Sequence, residues 1–226
     1  MNKYVIIVAG GTGVRMGSTI PKQFMLLHGT PILMWAVEAF SKSGVDNIII
    51  VIPPSFINYW ENLCTEYSFV IKHKVVAGGL FRSQSVKNGL DLINGKEALV
   101  AVHDGVRPLV SKDTINLCYS IAEENGAAVP FIDINDSIRV IEGVNNRHVE
   151  RDRYKAIQTP QCFLLSILKR AYSAIQTPSF TDDSTIVEQL NFPISLFKGN
   201  PENIKITTPL DLIIAESILT SSSIYK

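Results

Sequence analysis

The sequence predicts an α/β fold, a doubly wound and mostly parallel sheet with one inserted β-hairpin. Three observations lead there. Short Val- and Ile-rich runs alternate with segments of helical periodicity, the pattern of parallel strands joined by crossover helices. Glycine-containing turns follow the first, third and fourth of these runs, the ends at which an open parallel sheet gathers its ligands. Near residue 131 the alternation stops, and two extended segments joined by a Gly/Asn turn replace it.

Tyr4–Val8, Asn47–Ile52, Lys74–Ala77 and Leu99–His103 are the expected strands. Between and after them, Ile32, Leu33, Ala36, Val37 and Phe40 mark one helix face, Val86, Leu90 and Ile93 a second, and Ile115, Cys118 and Ala122 a third, each at the spacing of an amphipathic helix. In the stretch from Phe131 to Thr159, Ser137–Ile141 and His148–Ile157 read as the strands of a hairpin around Glu142-Gly143-Val144-Asn145-Asn146. A lone hairpin has too little apolar surface to stand by itself, so it is expected to lie against something, a second subunit being one option. Leu164, Leu168, Ala171 and Ile175 then share a helix face, Thr181 and Asp182 open another helix, and Ile194–Phe197 and Ile204–Thr207 read as strands. Thr208-Pro209-Leu210-Asp211 begins the last helix with an N-cap, a proline at the first position and an acid three residues beyond the cap. Together these form a single Rossmann-like domain over residues 1–226.

Composition bounds the function. The 226 residues are 46 % hydrophobic, enough for one sizeable core, and no Pro/Ser/Gly-rich or charged block divides them. Lys+Arg and Asp+Glu are equal at 21 each, without the basic excess of a nucleic-acid binder. Cys64, Cys118 and Cys162 lie far apart, so neither a zinc site nor a disulfide framework is expected. The N-terminus enters a strand directly, and no apolar run approaches a membrane span of about 18 residues. The expectation is a cytoplasmic protein.

The stretch Val8-Ala9-Gly10-Gly11-Thr12-Gly13-Val14-Arg15-Met16-Gly17, followed by Pro21-Lys22-Gln23, carries the first chemical signal. A glycine-rich turn after a strand lets backbone N–H groups approach phosphate oxygens. The dinucleotide spacing G-x-G-x-x-G is not met, because Gly17 falls one residue late and the second strand ends in Ile52-Pro53-Pro54 instead of an acid. The Gly-Lys-Ser/Thr of a P-loop is absent too. What remains is a phosphate loop with two cations, Arg15 and Lys22, able to neutralise a triphosphate and its leaving group. Asp104, before Gly105, is either a magnesium carboxylate or a turn former. Ser85 is a small hydroxyl near a helix start, either an ordinary helix N-terminal serine or a group free to hydrogen-bond a ligand. Asp182 and Asp183 offer a second metal contact or a helix cap. His103 is expected to be a packed, hydrogen-bonded neighbour of Asp104, and no catalytic triad emerges.

Ala9–Met16, Pro21-Lys22-Gln23, His103-Asp104-Gly105-Val106-Arg107-Pro108, Gln158-Thr159-Pro160-Gln161 and Asn203-Ile204-Lys205-Ile206-Thr207 together resemble the 2-C-methyl-D-erythritol 4-phosphate cytidylyltransferases of isoprenoid biosynthesis. The resemblance runs over nearly the whole chain. It implies transfer of CMP from CTP to a polyol phosphate with release of pyrophosphate, and it implies the following roles. Arg15, Lys22 and Lys205 act on phosphates. Ala9, Gly10, Gly11, Thr12 and Gly13 cradle the triphosphate, while Gly79 and Ser85 read the cytosine. Asp104 holds Mg²⁺, and Arg107, Ser137 and Arg151 serve the polyol phosphate. The region at about 131–158 is an arm that embraces a second subunit of a homodimer. Leu80 departs from the pattern, since the family commonly has an acid there. Ribitol 5-phosphate cytidylyltransferases share the glycine loop, Pro-Lys-Gln-Phe and the Thr-Thr-Pro ending, and stand as the alternative. A non-catalytic CTP-binding protein is the alternative of another class.

Overall fold

The computed structural model describes residues 1–11, 20–95, 97–174, 180 and 182–221. Its strands are β1 (Asn2–Val8), β2 (Leu26–Leu27), β3 (Thr30–Pro31), β4 (Asn47–Ile52), β5 (Lys74–Ala77), β6 (Ala98–Asp104), β7 (Ala127–Asp133), β8 (Arg139–Glu142), β9 (Asn145–His148), β10 (Lys155–Ile157), β11 (Gln161–Leu164) and β12 (Ser195–Lys198). The helices are α1 (Ile32–Lys42), α2 (Ile57–Glu66), α3 (Arg82–Leu90), α4 (Lys112–Asn125), α5 (Leu165–Ala174), α6 (Asp183–Glu188) and α7 (Pro209–Ser221).

Eight strands form one sheet in the order β10-β7-β11-β6-β1-β4-β5, with β12 on the far side of β7. β5, β4, β1 and β6 run parallel, as the alternation predicts. β11 is antiparallel to both β6 and β7, a strand the sequence does not predict, since it marks Gln161 as the end of a motif and Leu164 as the start of a helix face. β10 and β11 pair along the same edge of β7, Ile157 opposite Phe131 and Cys162 opposite Ala128. Gln158, Thr159 and Pro160 bulge between them, which turns their side chains toward the neighbouring strand ends.

Alternation along the strands sends side chains to opposite faces. Val5, Ile7, Ile48 and Ile50 pack with α1, α2 and α4. Ile6, Val8, Ile49 and Val51 pack with α3, α5 and α6. Both faces are therefore covered, which is why the central strands read as continuous apolar runs. Every residue of the three predicted helix faces is buried, although Ile93 lies beyond the end of α3 at Leu90. A third cluster seats α7 through Ala215 and Leu219 on Leu27, Ile32 and Ile206. At its start Asp211 accepts hydrogen bonds from the Thr207 and Thr208 backbone N–H groups at 2.8 and 2.7 Å, the capping arrangement the sequence predicts.

Three expectations are corrected. His148–Ile157 is not one strand: β9 ends at His148, a 3-10 turn follows at Arg151–Arg153, and β10 joins the main sheet. Only β8 and β9 form the separate hairpin. Ile204–Thr207 is not a strand, because its backbone bonds are local or directed to loops, as with Ile206 N–H to the Val106 carbonyl at 2.9 Å. Leu164 closes β11 instead of opening α5, and Ile175 and Thr181 lie outside the described residues. Helix α2, anchored by the fully buried Trp60, carries too few apolar residues to stand out from its surroundings.

Gly89 shows how tightly α3 lies on the sheet, since a Cβ there would stand 2.8 Å from Ile6 Cγ2. Alanine favours a helix by about 1 kcal/mol over glycine, but the overlap costs more, about 1–3 kcal/mol. Gly89→Ala should therefore lower the urea midpoint, and an unchanged or raised midpoint would refute this packing argument.

Candidate active site

A cleft of about 280 Å³ opens where β1 and β6 end, lined by Gly10, Gly11, Lys22, Gly79, Ser85, Asp104 and Lys205 among others. The three turns expected to converge thus meet in one place. Their meeting follows from strand order, since β6, β1, β4 and β5 are successive parallel neighbours.

Lys22 reaches the cleft from a 3-10 turn, Lys22–Phe24, fixed on both sides. Buried Gln23 donates from Nε2 to the Ala9 carbonyl at 2.6 Å, and Phe24 packs its ring among Phe56, Tyr59 and Trp60. A Cβ on Gly11 would lie 3.2 Å from Lys22 Cε, so glycine there lets the lysine stem cross the loop.

The turn before α3 is held by that helix's own side chains. Ser85 Oγ accepts from Gly79 N–H at 3.0 Å and donates to the Phe81 carbonyl at 3.1 Å. Gln84 Oε1 accepts from Leu80 N–H at 3.0 Å. Ser85 is therefore not a helix cap, because it orders the turn and faces the cleft. Leu80 is 91 % exposed at the rim. Arg82, the first residue of α3, also lines the cleft. A cation is poorly placed at a helix N-terminus, and here Asp183 compensates it through Arg82 Nη2 at 2.7 Å. Burial opposes that charge, but Asp183 outweighs it and holds the guanidinium pKa above its ordinary value.

Asp104 closes the floor. Its Oδ2 meets Lys205 Nζ at 2.9 Å and Arg107 Nε at 3.3 Å, and its Oδ1 faces Arg82 Nε at 3.9 Å. Burial by itself raises a carboxylate pKa, but the charges of Lys205, Arg82 and Arg107 prevail and hold Asp104 far below the usual range. Arg107 does not line the cleft; it stands behind Asp104 and donates from Nη1 to the Asn203 carbonyl at 2.8 Å. The segment bearing Lys205 is drawn in the same way by Asn203 Nδ2, which donates to the Thr159 carbonyl at 2.8 Å.

Of the remaining sequence-derived site residues, Ala9 also lines the cleft, whereas Thr12, Gly13 and Arg15 lie outside the described residues. Ser137 and Arg151 are not at this cleft. Ser137 is exposed in the loop before β8, and Arg151 donates to the Asn135 carbonyl nearby. Asp182 caps α6, accepting from Thr185 N–H at 2.9 Å. Asp183, read with Asp182 as a second metal contact or a cap, pairs with Arg82 and Tyr172, while Arg82 and Gln23 escape a reading of the sequence for site residues. The one signal for Arg82 is a cation opening a helix without an acid in its first turn.

Among the described residues no group of three or more His, Cys, Asp or Glu side chains forms a ready-made metal site. Asp104 Oδ1, beyond hydrogen-bond distance of Arg82, instead suits a magnesium ion that uses one carboxylate and completes its shell with substrate phosphates and water.

His103 is fully buried behind this floor, and its protonation is dictated by its partners. Asp104 N–H donates to Thr159 Oγ1 at 3.1 Å, leaving the threonine proton for His103 Nδ1 at 3.1 Å. Nε2–H then donates to the Arg107 carbonyl at 3.0 Å. Burial is the main reason its pKa drops from 6.5 to about 4. Because the folded value lies below the unfolded one, the stability from neutral His103 is complete above pH 6.5 and is lost as pH falls toward 4. The loss amounts to about 3 kcal/mol. Urea titrations at pH 7 and 4.5 should show this decline in the parent protein and a flatter one in His103→Gln; equal slopes would contradict it.

Residues 3–221 match the family model described as 2-C-methyl-D-erythritol 4-phosphate cytidylyltransferase. Proteins of that name from Bacteroides thetaiotaomicron and Azobacteroides pseudotrichonymphae are 46 % and 50 % identical to this chain, covering 97 % and 96 % of it and 100 % and 98 % of their own lengths. A crystal structure of the Thermus thermophilus 2-C-methyl-D-erythritol 4-phosphate cytidylyltransferase superposes with a TM-score of 0.80 at 29 % identity, covering 97 % of this chain and 100 % of that one. With the glycine turns, cations and buried carboxylate gathered in one cleft, these matches show that the chain belongs to the 2-C-methyl-D-erythritol 4-phosphate cytidylyltransferase family.

Proposed function

We propose that this chain transfers the cytidylyl group of CTP to 2-C-methyl-D-erythritol 4-phosphate and releases pyrophosphate, a step of non-mevalonate isoprenoid synthesis. The observation that carries the reading is the set of cations, Lys22, Arg82 and Lys205, lining one cleft around the single carboxylate of Asp104. The nucleophile, a phosphate oxygen of the acceptor, is already anionic and needs no general base. It attacks the α-phosphorus of CTP as the bond to the pyrophosphate oxygen breaks. The protein has to supply alignment and positive charge.

Lys22, crossing Gly11, neutralises the triphosphate together with Arg15, and the backbone of Ala9, Gly10, Gly11, Thr12 and Gly13 cradles it. Lys205, anchored by Asp104, faces the reacting phosphates. Asp104 would hold Mg²⁺, which when bound neutralises phosphate charge. Arg107 acts from behind, fixing Asp104 and the Asn203 backbone.

Base choice rests on Ser85. Its one proton is committed to the Phe81 carbonyl, so toward the cleft the hydroxyl can only accept. The cytosine 4-amino group donates to it, whereas O4 of uracil does not. Leu80 supplies no charge, which leaves Gly79 and the adjacent backbone to contact the nucleoside.

The hairpin β8–β9 serves as an arm on a second copy of the chain, making a homodimer, and Ser137 and Arg151 act at the partner's cleft. Two facts support this: both residues stand outside the cleft of their own chain, and Ile141 and Val144 of the hairpin are 70 % and 99 % exposed. We place the enzyme in the cytoplasm, in keeping with its three free cysteines; no described helix is long and apolar enough to cross a membrane.

Pyrophosphate release from CTP should be rapid with 2-C-methyl-D-erythritol 4-phosphate and slow with ribitol 5-phosphate offered in parallel; the reverse preference, or binding of CTP without turnover, would refute the assignment. Lys22→Ala should reduce kcat by about two to three orders of magnitude, and near-normal turnover would remove Lys22 from its role. Light scattering after gel filtration should show a dimer. A fully active monomer would rule out the shared site.

A further inference from the structure

Asp183 is completely buried and does not itself line the cleft, reaching it only through Arg82. Its surroundings are nonetheless specific. Tyr172 donates its hydroxyl to Asp183 Oδ1 at 2.5 Å, and Oδ2 receives Arg82 Nη2 at 2.7 Å. The Asp183 backbone is pinned as well, since Gln161 Oε1 accepts from the N–H groups of Asp183 and Ser184 at 3.0 and 2.9 Å. Gln161 belongs to β11, the strand beside β6, so the position of Asp183 is referred to the strand that carries Asp104.

Arg82 lies between two carboxylates and is shared unequally. Toward Asp183 it makes a close charge-assisted hydrogen bond, while toward Asp104 its Nε stops at 3.9 Å from Oδ1. Without the pull of Asp183, a guanidinium at this distance would close onto Asp104, because a buried cation seeks a carboxylate partner. It would then occupy the oxygen that Lys205 and Arg107 leave uncovered, both of them being on Oδ2.

We infer that Asp183 holds the Arg82 guanidinium off Asp104 Oδ1 and so keeps that oxygen open to the divalent cation. The inference rests on the proposed metal role of Asp104. It makes Asp183 a positioning residue, acting through Arg82, with Tyr172 and Gln161 fixing its place.

The test is CTP affinity by calorimetry, measured once in EDTA and once in saturating MgCl₂. In the parent protein Mg²⁺ tightens binding. In Asp183→Asn this tightening should shrink by about tenfold, as expected when a residue supporting a metal ligand is lost. The double variant Arg82→Met/Asp183→Asn, which has no guanidinium to swing, should recover most of it. Should Asp183→Asn not fold, Asp183→Glu replaces it, since the added methylene drives the guanidinium toward Asp104 and should cause the same loss. Full tightening in the single variant, or no recovery in the double one, would overturn the inference. Asp104→Asn is the separate control: if Mg²⁺ still tightens CTP binding there, it is the metal role of Asp104 that fails.

Discussion

The buried carboxylate of Asp104, ionised among Lys205, Arg107 and Arg82, is the contact around which the cleft is organised. A charge removed from water at the end of a strand is costly unless its partners are close and fixed. Each partner comes from a different part of the chain, and each is itself anchored. Arg107 is tied to the Asn203 carbonyl, Arg82 to Asp183, and Lys205 sits on a segment whose Ile206 is buried under α7. Each anchor fixes where its cation sits relative to Asp104, so fold and site are stabilised by the same contacts.

The bulge between β10 and β11 gives this cluster its geometry. Gln158 N–H still donates to the Pro130 carbonyl of β7 at 2.8 Å, and an uninterrupted antiparallel strand would keep Thr159 in that ladder too. The interruption lets Thr159 bond both the Asp104 backbone and His103, and lets Gln158 Nε2 donate to the carbonyls of Asn200 and Asn203 at 3.0 and 3.3 Å. The motif Gln158-Thr159-Pro160-Gln161 is thus a bracket joining the end of β6 to the segment that bears Lys205. Its fourth residue, Gln161, bonds the start of α6 and so extends the bracket to Asp183 and Arg82.

Much of this is legible without coordinates. β4 and β5 have the boundaries read from the sequence, and β1 and β6 differ only by short extensions, because a strand covered on both faces leaves an uninterrupted Val/Ile run. The convergence of Gly10, Gly79 and Asp104 follows from the rule that parallel strands gather ligands at their carboxyl ends. β11 is hidden because it is short and antiparallel within a region otherwise read as motif. Lys205 lines the cleft from a setting other than the expected strand: the alternation of Ile204, Lys205 and Ile206 is real, but the backbone there pairs with a loop and not with a sheet. Arg107 is expected at the substrate, and its side chain instead spans Asp104 and Asn203.

Sequence by itself determined the central parallel strands, the helix faces, the caps of α6 and α7 and the residue types available at each turn, since burial period and capping are local properties of a few neighbouring residues. Only the tertiary structure decided which charges meet. Arg82 and Asp183 are 101 residues apart, and Asp104 and Lys205 are joined through a bulge in an antiparallel insertion. Pairings of that kind depend on strand order and on the register of β11 against β6 and β7, and no local pattern encodes either.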